Sequence, residues 1–191
     1  MNTEFNNYYT SLAEAFASGE LFFTRNTDCL HNAAIMKLML EKGTRISMYC
    51  GSMSIFKNKF YSNILDDNGK PDIDIKRQVC EAFVDFINRP GTHIDIILEK
   101  EPNNLIDDLI FDVSYLNNDS VNIFQIPNII REKSNLNHFS FIDNSEITRL
   151  ETDPVQHTAL CKIGLSDKIN SPVESFNTLL EASSRVNIAN C

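Results

Sequence analysis

The chain has 191 residues, 42% of them apolar and 23% charged, and its 26 acids against 17 bases leave a formal net charge of −9. That length builds one full hydrophobic core and is short for two, and the composition excludes a disordered or fibrous chain. The acidic balance disfavours nucleic acid as a partner, because a duplex-binding surface carries a concentrated basic patch.

In chain order, residues from about Glu4 to Ser18 have the spacing of an amphipathic helix, with Phe5, Tyr8 or Tyr9, Leu12 and Phe16 along one face and Gly19 as its stop. This opening also lacks the basic start and apolar core of a signal peptide, and no run approaches the roughly 18 to 20 apolar residues that span a bilayer. A cytoplasmic protein with no membrane contact is expected. A short apolar connection, LFFT, leads to a second helix from about Asp28 to Lys42, capped by Thr27 or Asp28, with Ala34, Ile35, Leu38 and Met39 as its buried stripe. His31 reads as an exposed residue of its first turn.

Arg45 to Ser54 begins as a strand and breaks at Gly51 into a Ser-Met-Ser turn. A strand running into a small-residue turn is how an open α/β sheet presents backbone N–H groups at its carboxyl edge, which makes Ser52 and Ser54 candidates to line a ligand site. The competing role for Ser54 is the N-cap of a short helix from Ile55 to Leu65. The acid-rich, Gly- and Pro-containing run from Asp66 to Asp74 reads as a solvated connection, since its proline breaks a calcium-loop pattern. A helix from Ile75 to Asn88, a buried strand from Thr92 to Leu98, a helix from about Asn104 to Leu116 and a strand from Val121 to Ile126 follow. His93, at the entry of its strand, reads as structural. Strand, helix, strand, helix, strand implies parallel strands with right-handed crossovers.

After Pro127 the pattern changes to consecutive strands, His138 to Ile142, Glu146 to Glu151 and His157 to Leu165, closed by a helix with Ser171 as N-cap, Pro172 in first position and Val173, Phe176, Leu180 and Val186 facing the core. The fold class expected is α/β: a mixed sheet with a parallel βαβαβ core, antiparallel strands after residue 137 and helices on both faces. Residues 1–44 are expected as an N-terminal helical segment packed on an α/β domain of residues 45–191, the whole forming one structural unit. The five cysteines are far apart, without the C-x-x-C spacing of a zinc site or redox pair, and no metal or cofactor is expected.

His138 opens the first hairpin, where a side chain faces a cleft, with Ser140, Asp143, Arg149, Glu151 and Asp153 nearby in sequence. Histidine paired with carboxylate serves nucleophilic and acid/base chemistry, and it also serves as a plain structural contact. The element order from Arg45 to Val186, with its histidine-bearing hairpin, resembles a single phospholipase D-like half-domain. Catalytic members of that superfamily carry H-x-K-x-x-x-x-D, in which the histidine attacks phosphorus, the lysine neutralises the phosphate and the aspartate orients the imidazole. His138 matches the first position, while Ser140 and Ser145 stand where lysine and aspartate belong.

Two readings follow from the resemblance. In the first the chain is a degenerate, non-catalytic interaction or ligand-binding module, with Ser52, Ser54, Ser140, Arg149 and Glu151 as ligand-binding candidates, in a nucleic-acid-handling or defence assembly. In the second it is a phosphodiesterase or nuclease in which two chains pair their His138 residues, with Asp143 supporting His138 and Lys162 replacing the missing lysine. Both imply a homodimer or a protein partner on the face that a second half-domain occupies in two-half relatives.

Overall fold

The computed structural model describes residues 2–100, 107–133, 136–143, 145–153, 158–165 and 171–186. The parallel core consists of β2 (Arg45–Cys50), β3 (His93–Leu98) and β4 (Val121–Gln125), paired side by side as the alternating pattern required. Beyond β2 the sheet turns antiparallel through β5 (Phe139–Ile142), β6 (Ile147–Asp153) and β7 (Thr158–Ile163). Its edges are β1 (Phe22–Asn26) and β8 (Ser184–Arg185), giving the order β1-β7-β6-β5-β2-β3-β4-β8. The sheet is therefore mixed, with helices on both faces.

Side-chain alternation along these strands builds two cores. Ile46 and Met48 of β2, Ile94, Ile96 and Leu98 of β3 and Ile142 of β5 join the larger core, which also holds α1 (Thr3–Ser18), α2 (Cys29–Lys42) and α4 (Ile73–Asn88). Tyr49, Ile97, Phe139 and Phe141 point the other way and meet Phe176 and Leu179 of α6 (Ser171–Ala182). Two short helices, α3 (Asn58–Tyr61) and α5 (Asn128–Lys133), complete the described elements. Three helices start where an acceptor side chain meets an orphan N–H: Asn2 caps α1 through Phe5 N, Asp28 caps α2 through His31 N, and Asp72 caps α4 through Ile75 N.

Four local expectations are corrected. LFFT is not a connection: Phe22 to Asn26 pairs antiparallel with β7, so the N-terminal segment contributes a strand to the sheet. The helix expected from Ile55 to Leu65 is a 3-10 turn, Ser54–Phe56, followed by α3, and Ser54 is not a cap, because the preceding Met53 sits in the left-handed region at φ 56° and makes no capping hydrogen bond. Of the helix expected from Asn104 to Leu116, residues 104–106 lie outside the described residues, and the remainder forms only a 3-10 turn, Val113–Asn117. The reason is local pinning: Asp108, at φ 61°, accepts from Asn58 N and Lys59 N at 2.8 and 2.9 Å, and Ile110 N donates to Phe56 O at 3.0 Å. Finally, α6 ends at Ala182, and β8 follows to pair with Phe124 and Gln125 of β4. At its start, α6 begins at Ser171 itself, so the residue expected as its N-cap is the first residue of the helix, and residue 170 lies outside the described residues.

Candidate functional site

Parallel strands leave their carboxyl ends at one edge of a sheet, and an antiparallel neighbour brings its amino end to the same edge. Here Cys50 ends β2, Glu99 follows β3, and His138 precedes β5, so three strands deliver side chains to one place. The chain at Gly51 must pass close to the imidazole, since a Cβ built there would lie 3.3 Å from His138 Cε1. Tyr49 packs edge-on against the His138 ring, with centroids 5.5 Å apart.

Both ring nitrogens of His138 are bound by carboxylates. Nδ1 lies 2.7 Å from Glu151 Oε2 and Nε2 lies 3.0 Å from Glu99 Oε2. Glu151 reaches it from β6, whose backbone is tied to the same point by Glu151 N donating to His138 O at 2.8 Å. Burial works against a charge on His138, but the hydrogen bonds and negative charges of Glu151 and Glu99 outweigh it and hold the pKa above the ordinary histidine value. Burial likewise opposes ionisation of Glu151, yet His138 and Arg149 together keep its carboxyl below the usual value. The imidazole thus lies between two carboxylates, one at each ring nitrogen.

Arg149 extends the network inward. It stands opposite Ser140 in the β5–β6 register, donates from Nη2 to Glu151 Oε1 at 3.4 Å, and donates from Nε to Asn32 Oδ1 at 2.7 Å. Asn32, buried on α2, is met also by Asn26 Nδ2 at 3.1 Å, and Asn26 accepts from Tyr8 OH at 2.6 Å. A hydrogen-bonded line therefore runs from β1 beneath the sheet to the imidazole. The cavity beside it has a volume of about 270 Å³ and is lined by polar side chains, among them Ser52, Lys100 and Arg149, and by the apolar Met36, Met48 and Met53.

Of the residues singled out by sequence, the structure brings together His138, Ser140, Arg149, Glu151, Ser52 and Ser54 around this cavity. Asp143 is elsewhere. It sits at φ 41° past the far end of β5 and accepts from Thr44 N, Thr44 Oγ1 and Arg45 N at 3.0, 2.5 and 2.9 Å, so its carboxylate anchors the entry of β2 instead of supporting His138. Regular pairing along β5, Phe139↔Leu150 through Phe141↔Thr148, leaves no bulge to bring it closer. Lys162 is also turned away: it pairs with Thr148, which pairs with Phe141, so it lies on the face opposite Ser140 and Arg149. It is buried with an unpartnered amine, and burial lowers its pKa. Ser145, at the motif's aspartate position, is buried in the β5–β6 turn, and the carboxylate that meets His138 Nδ1 is that of Glu151. Ser140 Oγ contacts Met39 Sδ at 3.6 Å.

Sequence reasoning missed Glu99, Lys100 and Asn32. Glu99 carried a usable signal, because it directly follows a strand at the carboxyl edge; Asn32 carried none, being one of several polar letters in α2. His31 is half-buried rather than exposed, edge-on to Tyr8 at 4.3 Å and 3.0 Å from Asp28 Oδ1. Among the described residues, Glu4, Asp28 and His31 are the group of ligand-type atoms within 4.8 Å of one another, and Asp28 is already committed to capping α2. A separate polar cluster holds the buried Asp95 between Arg45, His93 and Asn122 at 2.8 to 3.0 Å, which gives His93 a structural setting. None of the described helices is long and apolar enough to cross a membrane.

No family model and no curated protein matches the sequence. Among solved structures, the chain is similar to Nuc, a phospholipase D family member from Salmonella typhimurium, at 11% identity and a TM-score of 0.52, over 88% of this chain and 98% of that one. It is also similar to TrmBL2, an archaeal chromatin protein whose structure shows a novel mode of DNA binding, at 12% identity and a TM-score of 0.52, over 95% of this chain and 63% of that one. At such identities the likeness is one of fold, shared with that phospholipase D family member.

Proposed function

We propose that the chain is a degenerate phospholipase D-like module that holds a ligand or partner at the His138 cleft and does not turn over a phosphodiester. The observation that carries this reading is the double capture of the imidazole. A histidine that attacks phosphorus needs an unprotonated nitrogen open to the substrate, and here Nε2 meets Glu99 at 3.0 Å while Nδ1 meets Glu151 at 2.7 Å. A phosphoryl group arriving there would also meet the Glu99 carboxylate, where catalysis of such charge calls for pre-placed donors. The net charge of −9 points away from nucleic acid as the bound species.

Purified protein is expected to leave bis(p-nitrophenyl) phosphate and single-stranded DNA uncleaved in the absence of metal, and His138→Ala is expected to change thermal unfolding instead. Hydrolysis by the wild type that His138→Ala abolishes, with unfolding unchanged, would overturn the reading. One observation favours a second reading, a phosphodiesterase with His138 as nucleophile: Arg149 stands opposite Ser140, supplying a cation next to the place where the motif's lysine is missing. That reading requires Glu99 to withdraw, so Glu99→Gln would be expected to release activity absent from the wild type.

A further inference from the structure

The two edges of the sheet are treated differently. At one edge β8 is two residues long, Ser184–Arg185, which is a common way to leave little backbone for another chain to pair with. At the other, β1 offers five residues in regular register with β7, from Phe22↔Ile163 to Asn26↔Ala159, with no proline, no bulge and Arg25 as its one charge. Among the described residues, no backbone hydrogen bond reaches β1 from any element but β7. Large apolar side chains lie exposed around it: Phe23 at 60%, Leu160 at 52%, Leu21 at 49% and Leu165 at 63%. The strand is also fixed in place beforehand, because Tyr8 OH binds Thr24 Oγ1 at 3.4 Å and Asn26 Oδ1 at 2.6 Å from below. Ordering entropy that a loose edge would lose on pairing has largely been spent.

We propose that β1 is the dimer interface of this protein and that its occupant is β1 of a second copy, paired antiparallel about a two-fold axis through Thr24. The sequence FFTRN is self-complementary in that register. Phe23 and Arg25 share the face away from α1, since they pair with Lys162 and Leu160 of β7, and the two-fold sets Phe23 against the partner's Arg25 twice over. A guanidinium over an aromatic face is attractive, and Leu160 stands beside Arg25 to shield it. Neighbouring registers are poorer. Centring on Arg25 brings two guanidinium groups together, and centring on Phe23 leaves Arg25 and Asn26 outside the strand pairing. The interface lies at the far end of the sheet's antiparallel half from β2 and β3, so it differs from the arrangement in which two chains pair their His138 residues and is compatible with a cleft that holds a ligand in each copy by itself.

Sedimentation of the wild type over a wide concentration range is expected to reveal a reversible particle of twice the 21.7 kDa chain mass. Phe23→Lys, an exposed position, sets like charges face to face and is expected to give a folded monomer. Adding Arg25→Asp to it turns each repulsion into an ion pair and is expected to restore the dimer. Amide exchange in wild-type β1 should slow as concentration rises. A wild type that stays monomeric, variants that all stay dimeric, or a double variant that stays monomeric would each overturn the proposal, and so would β1 exchange that ignores concentration.

Discussion

At the scale of single residues, His138 carries a stability that depends on pH. Its folded pKa lies above the ordinary 6.5, so the folded chain holds that proton more tightly than the unfolded chain does. The contribution is complete below the ordinary value and is lost as pH rises through the folded one. Glu151 has the opposite sign: its folded pKa lies below the ordinary 4.5, so its contribution is present above that value and lost as pH falls. The stability gap between wild type and His138→Gln should therefore narrow as pH rises from the ordinary histidine value through the higher folded one in urea unfolding, and a gap that stays flat would contradict the ion-pair account. Removing the carboxylate alone is the sharper test. Glu151→Gln leaves Arg149 and His138 without their shared counter-charge and is expected to cost about 1 to 3 kcal/mol, with a fall in the His138 pKa read by NMR titration.

At the scale of elements, helix ends decide how α2 and α4 sit. The last carbonyls of α2 are met from another helix's exit: Arg89, just past α4, donates to Leu40 O at 3.1 Å, Glu41 O at 2.9 Å and Gly43 O at 2.6 Å. One guanidinium thus satisfies the orphan end of a helix distant in sequence and adds a positive charge at its negative pole. Asp72 does the matching work at the start of α4, where its buried carboxylate accepts from Ile75 N at 3.1 Å. Asp72→Ala is expected to cost about 1 kcal/mol, measured as a lower urea midpoint at unchanged slope. A changed slope would mean that the unfolded or native ensemble had been altered instead.

For the whole molecule, one sheet carries two cores, and the question is whether they melt together. Phe83 of α4 is fully buried and stacks on Phe111 at 4.3 Å in the larger core, while Phe176 of α6 packs edge-on against Phe141 at 5.8 Å in the smaller. Every strand of the shared sheet is hydrogen-bonded to its neighbours in one continuous order. Phe83→Ala is expected to cost about 3 to 5 kcal/mol and Phe176→Ala a comparable amount, each lowering a single thermal transition that is the same by near- and far-ultraviolet circular dichroism. Two separate transitions in either variant would show that the cores are independent units.

Sequence by itself determined the elements whose signals are local. The stripe of α2, a cap at Thr27 or Asp28, and the β-branched runs of β3 and β4 are fixed by neighbours within a few residues, and so is the change from alternating to consecutive elements after Pro127, whereas the start of α4 at Ile73 and its buried cap Asp72 lie inside the run that reads as a solvated connection. Placing His138 at the mouth of a hairpin, with Arg149 and Glu151 near it, needed only the period-two alternation of strands. Tertiary structure decided what no local signal contains. LFFT became a strand because β7 presents an edge to it, and residues 107–112 stayed irregular because Asp108 is held by Asn58 and Lys59, fifty residues earlier. The partner of the imidazole was settled in the same way: Asp143 is nearer in sequence, but five residues along an extended strand carry it to the opposite end of the sheet. Glu151 and Glu99 reach His138 because strand order and register, which depend on contacts across the whole chain, bring three strand ends to one edge.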